Sequence, residues 1–203
     1  MRKGSITDNM LYINQNDYPD IKYPTNASDK TSRSYLEGTI ESSGCGLCSL
    51  CMIVDQLTLK KLELIECRDL SIKHEANLKV GTNMKVLGPV VAQMFDLSYK
   101  QSTSEEELAE CLRNGGAAII NVGGDHDDHV GTFSDVGHYI TAIGFDGEKV
   151  RILDPAYRKG KYDIEGRRGK VIDKEGILFT TLDVLHEDTN NRTPRYYLFN
   201  NEV

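Results

Sequence analysis

Apolar residues recur at helical positions through the first half of the chain. In the clearest run the apolar side chains share one helical pattern: Leu47, Leu50, Cys51, Val54 and Leu57. This run predicts a helix that begins at Cys45, directly after Gly44. Similar patterns predict a short helix over 59–70 and another over 84–94. A fourth helix is predicted behind a capping box at Ser104 and Glu107.

The pattern changes from helical to strand-like in the second half. Five short apolar or β-branched runs are bounded by Gly, Asp and Asn: Ala117–Val122, His138–Gly144, Val150–Leu153, Gly176–Thr180 and Tyr196–Phe199. Helices followed by consecutive strands are typical of an α+β domain with an antiparallel sheet. We therefore predict one domain over 1–203, with an extended, mostly irregular N-terminal segment (1–43), a helical part (44–115) and an antiparallel sheet part (116–203).

Composition and charge narrow the classes of partner. The 203 residues are 39% hydrophobic and 27% charged, which is typical of a soluble globular protein. The formal net charge of −7 argues against nucleic acid and anionic membrane as main partners. No apolar stretch approaches the roughly 18 residues of a membrane span, and polar residues follow Met1-Arg2-Lys3, so a cytoplasmic location is expected unless a leader is missing. A basic run within 151–170 is interpreted as a solvated loop.

Cys45 stands where a thiol becomes reactive. At a helix N-terminus the unpaired backbone N–H groups favour an anion, which lowers a thiol pKa from its usual value of about 8.5. The same N–H groups can hold an oxyanion, and Ser42 and Ser43 can cap the helix. The alternative is that Cys45 is a small core residue, as most helical cysteines are.

His138 and Asp154 are predicted to meet across a hairpin. With a three-residue loop at 145–147, His138 pairs opposite Asp154 and their side chains share one face. A two-residue turn at 146–147 would shift the register by one residue and separate them. A carboxylate beside an imidazole orients the ring and favours its protonated form. Cys45, His138 and Asp154 would then be nucleophile, general acid/base and orienting group.

Two metal-based alternatives are open at this stage. Cys45, Cys48 and Cys51 have spacings seen in iron–sulfur proteins, but on a regular helix the three thiols diverge around the axis. We interpret Cys48 and Cys51 as packing residues. The polar loop 123–136 is long for an idle connection and is expected to border the site. The residues that could bind a metal there are Asp125, His126, Asp128 and His129, with His138 as a further candidate.

Three segments carry a family resemblance. Gly44 to Met52, Gly137 to Gly144 and Ile152 to Pro155, in this order and spacing, resemble the bacteriocin-processing (double-glycine leader) cysteine peptidases, and more closely their stand-alone peptidase-like relatives. The match spans residues 11 to 158. The resemblance implies a papain-like fold with Cys45, His138 and Asp154 as the catalytic triad.

The same resemblance implies a glutamine whose amide binds the oxyanion. The leader peptidases carry it six residues before the cysteine, where this chain has Thr39. In the stand-alone relatives it follows a short apolar strand, which nominates Gln15 here, with the Cys45 N–H as second donor. We expect a cysteine peptidase or amide hydrolase that forms an acyl-enzyme on a peptide or protein substrate, with no cofactor. The alternatives are a transglutaminase-like acyltransferase and a catalytically inactive peptide-binding module on the same fold.

Overall fold

The computed structural model describes residues 5–7, 10–126 and 128–201. Its helices are α1 (Arg33–Leu36), α2 (Ile40–Ser43), α3 (Cys45–Leu57), α4 (Leu64–Lys73), α5 (Met84–Met94), α6 (Glu105–Arg113) and α7 (Leu182–Thr189), with a 3-10 turn at Gln15–Asp17. Its strands are β1 (Ser5–Thr7), β2 (Met10–Leu11), β3 (Leu97–Ser102), β4 (Ala117–Val122), β5 (His138–Phe145), β6 (Val150–Leu153), β7 (Ile172–Lys174), β8 (Ile177–Thr180) and β9 (Tyr196–Asn201). None of these helices is long and apolar enough to cross a membrane.

A seven-stranded antiparallel sheet forms the centre of the fold. Its strand order is β3-β9-β4-β5-β6-β8-β7, which confirms the predicted α+β class. The two faces of β4 enter different cores, because Ala117 and Ile119 pack with α3 while Ala118 and Ile120 pack with α6. Since helices cover both faces, β4 is apolar at four successive positions, from Ala117 to Ile120, instead of alternating.

The sequence pattern located the central elements more closely than the peripheral ones. The helix predicted over 59–70 begins later, at Leu64. Strand β3 lies inside the part that was predicted to be helical, and α7 was not predicted at all. Strand β3 is an edge strand with exposed polar positions, so its weak alternation carries little hydrophobic signal. The N-terminal segment, predicted to be irregular, contains the short helices α1 and α2.

The hairpin between β5 and β6 differs from the predicted one. The loop has four residues, 146–149, rather than three, and the Asp146 N–H donates to the Lys149 carbonyl at 3.2 Å. The pairing register of the two strands changes along the hairpin. Next to the loop, the numbers of facing residues sum to 295, whereas beyond a bulge at Ile143 they sum to 294. The two pairs that show this shift are Phe145 with Val150 and Thr141 with Leu153.

The bulge decides where the side chains at the open end of the hairpin point. Side chains on neighbouring antiparallel strands point to the same face when the sum of their residue numbers is odd or even in the same way as the sum of directly facing residues. The numbers of His138 and Asp154 have an even sum, so the two share a face only where facing residues also have an even sum. Without the extra residue at Ile143 the odd register of the loop would continue and the two side chains would point to opposite faces. The predicted shared face is therefore reached by a different loop and a bulge.

Candidate active site

Cys45 begins α3 at a tight junction between two helices. Gly44 is both the C-cap of α2 and the N-cap of α3. A Cβ on Gly44 would lie 2.5 Å from the Ile40 carbonyl oxygen, so the two helices can meet this closely only at glycine. The prediction that Ser42 or Ser43 caps α3 is wrong, because no side chain caps α3 and Ser42 instead forms a capping box with Thr39 in α2. No capping side chain before Cys45 therefore accepts the first-turn N–H groups of α3.

The Cys45 thiol is partly exposed and electrostatically activated. Burial raises its pKa, but the charge of the His138 ring, hydrogen bonding with that ring and the backbone N–H groups of Tyr139 and Gly46 together lower the pKa below the ordinary thiol value. By contrast, Cys48 and Cys51 are fully buried, and burial raises the pKa of Cys48 well above its usual value. The thiols along α3 therefore differ in character, and Cys45 is the one suited to act as a nucleophile.

The His138 ring lies between Cys45 and Asp154. Its Nε2–H donates to Asp154 Oδ1 at 2.8 Å, which leaves Nδ1 for the thiol. Burial opposes protonation of His138, but the Cys45 and Asp154 charges and hydrogen bonds prevail and raise its pKa from 6.5 to about 9. Burial likewise opposes ionisation of Asp154, yet the hydrogen bond and charge of His138, with Lys161, hold the pKa of the carboxyl well below its usual range. The contacts within Cys45, His138 and Asp154 therefore favour the charged form of each group: thiolate, imidazolium and carboxylate.

Asp154 is held by more groups than the sequence suggested. Its Oδ1 also accepts the Ala156 N–H at 2.8 Å, while its Oδ2 accepts the Lys161 ammonium at 2.5 Å and the Tyr162 hydroxyl at 2.6 Å. The Lys161 side chain is 7% exposed, so the interpretation of this basic run as a solvated loop is wrong for Lys161. It is also wrong for Arg167, which is buried and donates to the Gly131 carbonyl at 2.8 Å. No sequence pattern marks either residue, because Lys161 is buried by the way its own loop folds back on Asp154, and Arg167 by contacts with the distant segment 131–135.

Gln15 packs against the helix that precedes Cys45. It begins the 3-10 turn, its backbone N–H donates to the Pro155 carbonyl at 2.7 Å, and its Nε2 donates to the Glu41 carbonyl at 2.5 Å. The buried Oε1 has no hydrogen-bond partner among the described residues. The turn therefore links Gln15 to both α2 and the Asp154 segment, and one amide hydrogen is engaged by Glu41.

An open cleft of about 390 Å³ lies beside Cys45 and His138. Its walls come from the α2–α3 junction, the loop before α5, the end of β4, the start of β5 and the turn after α7. The lining residues are Ser42, Ser43, Cys45, Val80, Gly81, Thr82, Asn121, Val136, Gly137, His138, Tyr139 and Arg192. The sequence analysis did not identify Asn121 and Arg192 as cleft residues. The two lie far apart in the sequence, and neither belongs to a recognisable motif.

Of the described residues of the loop 123–136, which leave out 127, only the last one, Val136, lines the cleft. The His126 ring bonds the Gly124 carbonyl at 3.0 Å, and His129 bonds the buried Asp188 carboxylate at 2.8 Å. Asp188 also accepts the Thr132 N–H at 2.6 Å, so His129 takes part in anchoring the loop. Within residues 5–7, 10–126 and 128–201, no three His, Cys, Asp or Glu side chains converge as metal ligands.

Comparisons with known proteins give a likeness in fold. A Bacillus anthracis structure described as a C39-like peptidase superposes with a TM-score of 0.52 at 12% identity, covering 91% of this chain and 96% of that one. A double glycine motif protease from an AMS/PCAT transporter, solved with a leader peptide, has a TM-score of 0.43 and 17% identity over 78% of this chain and 84% of its own. The peptidase domain of Streptococcus ComA, a bifunctional ABC transporter, superposes with a TM-score of 0.47 at 12% identity. The match covers 78% of this chain and 91% of that one.

No family model and no curated protein matches the sequence. The Bacillus anthracis likeness, with the helices and seven-stranded antiparallel sheet, confirms the predicted papain-like fold.

Proposed function

We propose that this protein is a thiol hydrolase that cleaves peptide or related amide bonds through an acyl-enzyme on Cys45. One observation carries the proposal: the thiol stands at an uncapped helix start beside a His138 ring whose Nε2 bonds a buried carboxylate at 2.8 Å. The papain-like fold and the open cleft support the same conclusion.

The chemistry follows from the charge states of the pair. Because the Cys45 pKa is lowered while the His138 pKa is raised to about 9, the site favours the thiolate–imidazolium form of the pair, from which the reaction proceeds. The thiolate sulfur attacks the substrate carbonyl carbon, and the negative charge that develops on the carbonyl oxygen is held by the Cys45 N–H. His138 gives its proton to the leaving amine as the C–N bond breaks, which leaves a thioester.

Water completes the cycle. Neutral His138 takes a proton from water as the oxygen attacks the thioester carbonyl, and the C–S bond breaks. The products are a carboxylic acid and the regenerated thiolate–imidazolium pair. An amine in place of water would give acyl transfer, so product analysis with and without an added amine separates hydrolysis from transfer.

Alkylation of the thiols tests the nucleophile directly. We expect the rate at which iodoacetamide modifies Cys45 to rise much less between pH 6 and pH 8 than that of an ordinary thiol, whose rate rises roughly tenfold for each unit increase in pH below its pKa. Cys111 is an internal control, because burial raises its pKa to about 11. His138→Ala is expected to abolish the pH 6 reactivity, and His186→Ala, which alters an exposed histidine, is the matched control. A Cys45 rate that rises with pH like an ordinary thiol would contradict the proposal.

One feature of the site favours a second candidate, a peptide-binding module without catalysis. The amide of Gln15, nominated to bind the oxyanion, donates to the Glu41 carbonyl. If the remaining amide hydrogen does not reach the cleft, the oxyanion keeps only backbone donors. Peptide binding that Cys45→Ala leaves intact, together with no turnover by the wild type, would establish this candidate instead.

A further inference from the structure

We propose that Arg192 forms a carboxylate-binding subsite in the cleft and selects peptides that carry an acidic side chain next to the scissile bond. The inference rests on the proposed function, because it assigns a substrate class to the same cleft. Arg192 lies in the turn between α7 and β9, far in sequence from Cys45.

The Arg192 side chain is held against the segment that carries His138. Its Nη2 donates to the Gly123 carbonyl at 3.1 Å and occupies the space where a Cβ on Gly137 would lie. Arg192 also lines the cleft together with Cys45 and His138. The guanidinium is therefore fixed beside the reactive pair instead of extending freely into solvent.

The Arg192 guanidinium has N–H donors that no carboxylate of the described residues accepts. Among the described residues no carboxylate forms an ion pair with Arg192, and its Nε is buried with no acceptor. Other arginines in the described part of the chain do pair, for example Arg33 with Glu37 and Arg167 with Asp135. The only hydrogen bond from the Arg192 guanidinium to the described residues is the one from Nη2 to Gly123, so other N–H groups of the guanidinium are available to a carboxylate in the cleft.

The composition of the cleft suits an anion. No aspartate or glutamate is among its lining residues, although the whole chain carries a net charge of −7. An uncompensated cation in a concave, acid-free site attracts an anionic ligand. Val80 and Val136 lie 72% and 70% exposed at the same cleft, so the ligand also meets apolar surface. A peptide with an acidic side chain combines both properties.

The test compares isosteric substrates. The probes are acetyl-tripeptide coumarin amides with Glu or Gln at the first or second residue from the scissile bond. We expect the wild type to prefer a Glu probe by about tenfold or more in kcat/KM, since the bond would be charge-assisted and bidentate. Arg192→Gln is expected to reduce that ratio to about one, and Arg192→Lys to restore part of it. Arg195→Gln is the matched control, because Arg195 donates to His186 and does not line the cleft.

A free terminal carboxylate is the other source of the same chemistry. Peptides ending in a free carboxylate or an amide, followed by mass spectrometry, separate the two. Preference for the free terminus alone overturns selection of an acidic side chain, and equal rates on Glu and Gln probes with no terminal preference overturn the subsite. Circular dichroism checks that each Arg192 variant is folded.

Binding measured without turnover separates the two proposals. Cys45→Ala is titrated with fluorescein-labelled Glu and Gln peptides and followed by anisotropy. Tighter binding of the Glu peptide that disappears in the Arg192→Gln background supports the subsite even if the wild type cleaves nothing, which refutes only the hydrolase. Cleavage without a Glu preference refutes only the subsite.

Discussion

Replacing Lys161 with Met removes a buried positive charge from the carboxylate that orients His138. The Lys161 Nζ lies 2.5 Å from Asp154 Oδ2 and 3.3 Å from the Ala156 carbonyl, and the Asp154 side chain is fully buried. Methionine has a similar length and no charge, so packing changes little and the effect is mainly electrostatic.

The expected loss of stability follows from the partners that remain. Removing one member of a buried ion pair typically costs about 3–5 kcal/mol, because the other charge stays buried. Here the Tyr162 hydroxyl at 2.6 Å, the Ala156 N–H at 2.8 Å and His138 at 2.8 Å still donate to Asp154. We therefore expect the free energy of unfolding to fall by about 2–3 kcal/mol. For a chain of this length that corresponds to a Tm lower by roughly 4–12 °C.

A second consequence concerns His138. The ammonium of Lys161 opposes protonation of the nearby ring, so its removal is expected to raise the His138 pKa above about 9. Ring titration by NMR of histidine-labelled protein measures this shift independently of turnover.

Thermal and urea unfolding, followed by circular dichroism, measure the stability. Lys159→Met is the matched control, because Lys159 is exposed and only two residues away. Tyr162→Phe removes the second donor to the same oxygen, so the double variant reports how far the two donors are coupled. A Lys161→Met protein as stable as Lys159→Met, with an unchanged His138 titration, would refute the buried ion pair and its effect on the ring.

Three further outcomes test the site. Asp154→Asn is expected to slow Cys45 alkylation at pH 6 by roughly tenfold or more, because the imidazolium loses its carboxylate and its pKa falls; an unchanged rate means that Asp154 does not support His138. Gln15→Ala is expected to lower kcat by roughly 10²–10³ if its amide binds the oxyanion, and unaltered kcat in a folded variant removes Gln15 from that role. Because the His138 pKa is raised from 6.5 to about 9, its contribution to stability is full below pH 6.5 and is lost as pH rises through about 9, so the Tm of the wild type should fall over that range more than the Tm of His138→Gln.

The sequence alone determined the parts of the molecule that depend on local patterns. Helical spacing behind Gly44 indicated where α3 begins, and apolar runs located β4 and β6 at their observed bounds. These patterns suffice because each central element buries at least one apolar face, and the spacing of apolar residues within the element shows which residues form that face. The predicted pairing of His138 with Asp154 depended on a loop count, and the structure brings the side chains to 2.8 Å through a four-residue loop and a bulge instead.

Only the tertiary structure decided which polar groups are buried and with whom. Lys161 was indistinguishable from its solvated neighbours until folding placed its ammonium on Asp154, and nothing near Arg192 in sequence indicated that it lines the cleft. Ser42 was a plausible cap for α3 but bonds Thr39 in α2. The physical reason is that burial of a charge depends on a partner that only the folded path of the loops brings to it, and periodicity along one segment carries no information about that path.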